Sequence, residues 1–186
     1  YCGNILPLPE SLDPEKGQKI MAQIRRLAAF LSREYRLTGV NGIDFILDRD
    51  RVSLVEINPR YSASMELVEQ AYGLSIFQMH AQAALHGTLP EFILEARQGA
   101  TGFFAKAILF AERDVKAPDT RAWIGKNIRD IPLPGERFYV NNPVCTIFAN
   151  QSTSEETLAE LIGRAAWIKE EIYGIREPWH GIQRGA

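Results

Sequence analysis

Two short runs of β-forming residues, Gly42–Leu47 and Val52–Asn58, are separated by four charged residues, Asp48-Arg49-Asp50-Arg51, and closed by Pro59. Runs of this length, spacing and composition are predicted to form an antiparallel hairpin, and Pro59 stops the second strand because it cannot extend the ladder. Side chains alternate along a strand, so Asp44, Ile46, Leu54, Glu56 and Asn58 are expected on one face. The odd positions Ile43, Phe45, Leu47, Val55 and Ile57 then form an unbroken apolar face that must be covered. A turn centred on Asp50 sets Asp44 opposite Glu56, with their Cβ atoms about 4.5–5.5 Å apart.

The flanking segments are expected to be helical. Asp13-Pro14 starts a helix, since Asp can cap free amides and Pro suits the first helical position. Ile20, Ile24, Leu27 and Leu31 continue it to about Tyr35, with Gly39 in the following turn. After the hairpin, Ser62 or Ser64 is expected to cap a short helix ending at Gly73. Ser75, with Gln78 as its capping-box partner, then starts another that leaves at His86-Gly87. Beyond Pro90 the chain becomes rich in β-formers: strands are expected at Gly102–Phe110, Trp123–Ile128, Arg137–Val140 and Val144–Phe148. Ser154 opens a last helix whose apolar stripe is Leu158, Leu161, Ala165 and Ile168. The expected class is α+β. A mixed sheet with helices occupies residues 1–95, and a smaller β-rich subdomain closed by a helix occupies 96–186.

With 46% hydrophobic and 24% charged residues, the 186-residue chain falls in the globular range, which makes a packed core the expectation. Its formal charge of −2, with Lys and Arg scattered, argues against a nucleic-acid partner. No apolar run is long enough to span a bilayer and no signal peptide opens the sequence. The two cysteines, Cys2 and Cys145, form neither a metal spacing nor a disulfide framework, so a cytoplasmic setting is expected. The chain opens on Tyr1, as expected of a piece of a longer protein.

The even face of the hairpin carries the chemistry. Two ionised carboxylates side by side repel, so a cation between them, or a proton on one, is required. Hard oxygen donors of this kind suit Mg²⁺, which is commonly held by one or two carboxylates plus substrate phosphates. Asn58 can add a neutral oxygen, and Arg60 offers a planar fork for phosphate or carboxylate. Ser62, Ser64 and Glu66 follow at a helix start, where anions are welcome, and are candidates for substrate contact or for plain capping. The competing reading makes Asp44 and Glu56 solvated edge residues. His80 and His86 fit structural roles, Lys106 a solvated strand charge, and Cys145 a buried small hydrophobe.

Gly42-Ile43-Asp44-Phe45, followed by Val55-Glu56-Ile57-Asn58-Pro59-Arg60 and Glu66, resembles the metal-and-phosphate signature of the ATP-grasp superfamily. The similarity is to the branch containing biotin carboxylase and the carboxylate–amine ligases, and to predicted ATP-grasp enzymes of undefined substrate. It implies the C-terminal half of an ATP-grasp fold, with ATP and Mg²⁺ (or Mn²⁺) as cofactors. Asp44, Glu56 and Asn58 would be the metal ligands, Asn58 and Arg60 would face the nucleotide phosphates, and Arg60 would be the catalytic contact. The implied reaction phosphorylates a carboxylate to an acyl phosphate, which an amine or other nucleophile then captures. Implied partners are a small-molecule carboxylate and the N-terminal half of the parent chain, whose Lys-bearing strands hold the nucleotide; a homodimer is compatible. Carboxylases of this type place a Glu four residues after the Arg, where this chain has Ser64, which speaks against bicarbonate chemistry. Two rival functions are a non-catalytic interaction or regulatory module that kept the hairpin, and a metal-dependent hydrolase, the latter disfavoured for want of a suitably spaced general base.

Overall fold

The computed structural model describes residues 2–7, 14–89 and 102–174. They fall into two compact units, one comprising Leu8–Thr101 and the other Tyr1–Pro7 with Gly102–Ala186.

The Leu8–Thr101 unit begins with helix α1 (Pro14–Glu34), whose predicted cap Asp13 lies outside the described residues. Ile20 and Leu31 are its buried positions, with Ile24 and Leu27 half-buried between them, as the spacing required. Strands β2 (Gly42–Asp48) and β3 (Arg51–Asn58) form the antiparallel hairpin. Gln23 of α1 braces its tip, donating through Nε2 to the carbonyl of Asp50 at 2.6 Å and accepting from the amide of Val52 at 3.4 Å.

The hairpin register differs from the simple expectation in an instructive way. The turn is the two-residue Arg49-Asp50, with Arg49 at φ 56°, and it pairs Asp48 with Arg51 through to Phe45 with Leu54. A β-bulge then leaves Val55 outside the pairing, and the ladder resumes with Asp44 opposite Glu56, Ile43 opposite Ile57 and Gly42 opposite Asn58. The expected carboxylate pair is present, reached through the bulge rather than a turn centred on Asp50. Leu54 is a correction: facing Phe45, it belongs to the odd, apolar face, and Ser53 takes its expected place on the other.

Helix α2 (Met65–Tyr72) buries Met65, Leu67 and Ala71 and ends at Gly73 in the left-handed conformation. Neither expected serine caps it through its side chain: the Met65 amide donates to the Ser62 carbonyl, and Ser64 makes no side-chain cap bond. Helix α3 (Ile76–His86) starts as predicted, with Ser75 Oγ accepting from the Gln78 amide, and exits at left-handed Gly87. His80 on α3 accepts the Val40 amide on Nδ1 at 3.2 Å, which confirms its structural role. Gly39, at φ 71°, lies against that ring so closely that a Cβ would come within 2.7 Å of Nδ1.

The other unit is built on an antiparallel sheet of β1 (Gly3–Leu6), β4 (Phe103–Phe110), β8 (Pro143–Gln151) and β6 (Ile128–Arg129), in that order. Residues 3–6, expected within the first half of the chain, thus pair with β4, Gly3 lying opposite Ala107. A two-stranded ribbon joins β5 (Val115–Lys116) to β7 (Arg137–Phe138), and helix α4 (Ser154–Tyr173) packs on β8 and β4. The core centres on Trp123, Ile147 and Ile168, each with no accessible surface.

Three sequence expectations change here. The strand expected at Trp123–Ile128 is a 3₁₀ turn, Thr120–Trp123, capped by Asp119. Positive φ at Gly125 and Asn127 then confines strand geometry to Ile128–Arg129. Helix α4 opens at Ser154 as expected, with Thr153 before it as the cap, its side chain accepting from the Glu156 amide. Its inward stripe is Thr157, Leu161 and Ile168, while Leu158 is 48% exposed; the Thr157 hydroxyl is satisfied on the Thr153 carbonyl at 2.7 Å, so its polarity costs little inside. Finally, Lys106 is buried rather than solvated, its ammonium over the Phe148 ring at 5.7 Å.

Candidate functional site

The candidate site lies at the end of the β2–β3 hairpin away from its turn. Asp44 and Glu56 occupy directly opposed positions in the ladder and are both exposed to solvent. Their exposure removes the desolvation cost expected for buried carboxylates and leaves mutual repulsion as the main electrostatic feature. Asn58, two residues beyond Glu56 on the same face, is buried, and its Nδ2 donates to Asp44 Oδ2 at 3.4 Å. That bond turns the amide nitrogen toward Asp44 and leaves the amide oxygen able to serve as a ligand. Among the described residues no ion pair involves Asp44 or Glu56.

Gly42 opposes Asn58 and has the Ser62 hydroxyl just above it: a Cβ at Gly42 would lie 3.2 Å from Ser62 Oγ and 3.4 Å from Asn58 Cβ. Ser62 Oγ is in turn 3.1 Å from Ser64 Oγ. The structure therefore brings Asp44, Glu56, Asn58, Ser62 and Ser64 into one patch. Glu66 sits in the first turn of α2. Arg60 is exposed; its amide donates to the Asn58 carbonyl at 2.8 Å, and its Nη1 donates to the Tyr61 carbonyl at 3.1 Å. That side-chain bond folds the guanidinium back along the chain.

Two residues of this neighbourhood escaped sequence reasoning. Tyr61 donates its hydroxyl to Glu69 Oε2 at 3.0 Å, and Glu69 Oε1 accepts the Ile76 amide at 2.7 Å. Burial first, then the Glu69 bond and charge, push the Tyr61 phenol up to about 12, so the proton stays on the tyrosine and donation runs toward Glu69. The only sequence signal is the adjacency of Tyr61 to Arg60; Glu69 reads as one more charge on a short helix.

Chemically, two opposed carboxylates, an amide oxygen and two hydroxyls make an oxygen-only donor set. Among the described residues no three His, Cys, Asp or Glu side chains gather as a self-sufficient metal cage. The set fits a hard cation that draws its remaining ligands from water or a bound phosphate, the habit of Mg²⁺, rather than a thiolate- or imidazole-seeking metal.

Residues 1–64, which include Asp44, Glu56, Asn58 and Arg60, match the family model described as an ATP-grasp domain. The carbamoyl phosphate synthase large chain of Thermoplasma volcanium is 26% identical over 99 residues, covering 50% of this chain and 9% of that protein. Among solved structures, an L-amino acid ligase from Bacillus licheniformis superposes with a TM-score of 0.65 at 15% identity, covering 93% of this chain and 43% of the ligase. The biotin carboxylase domain of a single-chain bacterial carboxylase gives 0.59 at 17% identity, covering 92% and 40%. The chain thus spans less than half the length of each of these proteins. The family match spans the hairpin within residues 1–64, and the fold of nearly the whole chain is shared with these solved structures.

Proposed function

We propose that the protein containing this chain is an ATP-dependent ligase that activates a small carboxylate as an acyl phosphate and passes the acyl group to an amine or other nucleophile. The observation that carries this reading is the opposed Asp44–Glu56 pair on an open hairpin face, with the Asn58 amide oriented beside it. Asp44, Glu56 and Asn58 would hold Mg²⁺, which when bound neutralises charge developing on the phosphate oxygens. In this scheme the residues of the chain orient and neutralise rather than react. The carboxylates supply fixed negative charge to a cation, and Arg60 supplies a two-pronged donor to a phosphate or carboxylate oxygen. The Ser62 and Ser64 hydroxyls are within reach of the same patch and are assigned to substrate, with Glu66 beside them on α2. No nucleophilic side chain is required.

The test is Glu56→Gln in the whole protein. The substitution keeps size and one oxygen ligand but removes a charge, so turnover should fall by about 10²–10³-fold. Because both carboxylates are exposed, the metal-free thermal midpoint should hold or rise slightly, and the extra stabilisation by Mg-ATP should shrink. Parental ATP turnover in this variant would make Glu56 a solvated edge carboxylate and favour the non-catalytic module.

A further inference from the structure

We infer that Glu69 is a positioning residue for Arg60 and acts through Tyr61. The inference rests on the proposed role of Arg60 and adds a device that holds it in place.

The segment from Pro59 to Ser64 has no regular secondary structure, so ladder or helix bonds do not fix its path. Its Ser62–Ser64 end is bonded to the start of α2, and three further bonds fix the Arg60–Tyr61 part. The Arg60 amide returns to the Asn58 carbonyl, tying the segment to the end of β3. The Arg60 guanidinium rests on the Tyr61 carbonyl, so its direction depends on where Tyr61 is held. Tyr61 is 40% exposed, and burial alone does not immobilise it; its hydroxyl is fastened to Glu69 Oε2.

Glu69 is well placed to be the fixed end. It lies in α2, and its carbonyl accepts from the Gly73 amide at the helix exit and from Leu74. Its second carboxylate oxygen satisfies the Ile76 amide, one of the donors left over at the start of α3. One side chain therefore joins the α2–α3 corner to the segment carrying Arg60. A carboxylate accepting two hydrogen bonds from different elements is stiffer than either bond alone, and such groups commonly orient a functional side chain they do not touch.

The simpler view makes Glu69 only a cap for α3. Tyr61→Phe separates the two, since it removes the tie to Arg60's neighbour and leaves the Ile76 bond intact. The experiment uses the whole protein loaded with Mg-ADP and inorganic phosphate as the probe of Arg60, its affinity read by calorimetry beside the thermal midpoint. Arg60→Lys should weaken phosphate binding. Tyr61→Phe should weaken it by about 3- to 10-fold in the parental background and not further in the Arg60→Lys background, because residues acting as one unit are non-additive. The midpoint of Tyr61→Phe should move little. Glu69→Ala should reproduce the binding loss with a lower midpoint, and Glu69→Gln should recover part of both. If Tyr61→Phe is silent, or its effect is equal in both backgrounds, the positioning role is overturned while the Arg60 assignment stands. If Arg60→Lys leaves phosphate binding unchanged, the Arg60 assignment is overturned first and this inference with it.

Discussion

At the scale of single residues, environment sorts chemically similar groups into different roles. Asp44 and Glu56 are open to solvent and to each other, whereas the carboxylate of Glu69 is spent on two protein donors. The two cysteines divide in the same way. Cys2 is exposed, while Cys145 is buried in β8, and burial, with a smaller contribution from Asp130, pushes its thiol up to about 12. A thiol-directed reagent at pH 8 should modify Cys2 and leave Cys145 untouched until the protein unfolds, as mass spectrometry of the labelled protein would show. There is a thermodynamic counterpart. The unfolded chain loses this proton near pH 8.5, the folded chain only near 12, so the thiol's contribution to stability is intact below about pH 8.5 and declines as pH rises toward 12. The thermal midpoint should therefore fall on the alkaline side, and less steeply in Cys145→Ala. Equal slopes for both proteins would show that other groups carry the alkaline loss.

Among the elements, helix starts show how local sequence can promise a cap that geometry declines. Thr153 caps α4 through its side chain, with Glu155 and Glu156 in the first turn, where negative charge suits the helix dipole. Ser64 precedes α2 in an αR conformation and forms no such bond. Thr153→Ala should then cost about 1 kcal/mol in urea unfolding, and Ser64→Ala less than about 0.5 kcal/mol. Equal losses would mean that Ser64 does cap in solution. The β2–β3 bulge is the other element-level device. The extra residue Val55, 60% exposed, takes up the mismatch between a two-residue turn and the Asp44–Glu56 pairing.

On the scale of the whole molecule, the chain spans 43% of the solved ligase it resembles in fold. Phe45, Ile46, Leu54 and Val55 of the hairpin are all at least 37% exposed, a large apolar surface for two strands to leave open. On the proposed assignment, the adenine contacts and most of the phosphate contacts lie outside this chain, which supplies only the metal ligands and Arg60. The chain alone should accordingly show no measurable affinity for Mg-ATP in a calorimetric titration up to about 0.1 mM, and no ATP hydrolysis. Micromolar binding would place the nucleotide contacts within these residues. Among the described residues no helix is long and apolar enough to cross a membrane.

What the sequence determined by itself was whatever is encoded within a few residues. That includes the hairpin and the shared face of Asp44, Glu56 and Asn58, the left-handed exits at Gly73 and Gly87, the Ser75 cap, and the helical stripe of Ile20 to Leu31. Side-chain parity, capping and glycine conformation act over one to four residues, so they are legible without a partner. Only the tertiary structure decided the pairing of Gly3–Leu6 with a strand a hundred residues away, the burial of Lys106 against Phe148, the inward turn of Thr157 in place of Leu158, and the tie from Tyr61 through Glu69 to Ile76. Each depends on which distant surface arrives to pack or bond. Two residues of the same local propensity can meet opposite surroundings, and long-range packing then overrides local preference.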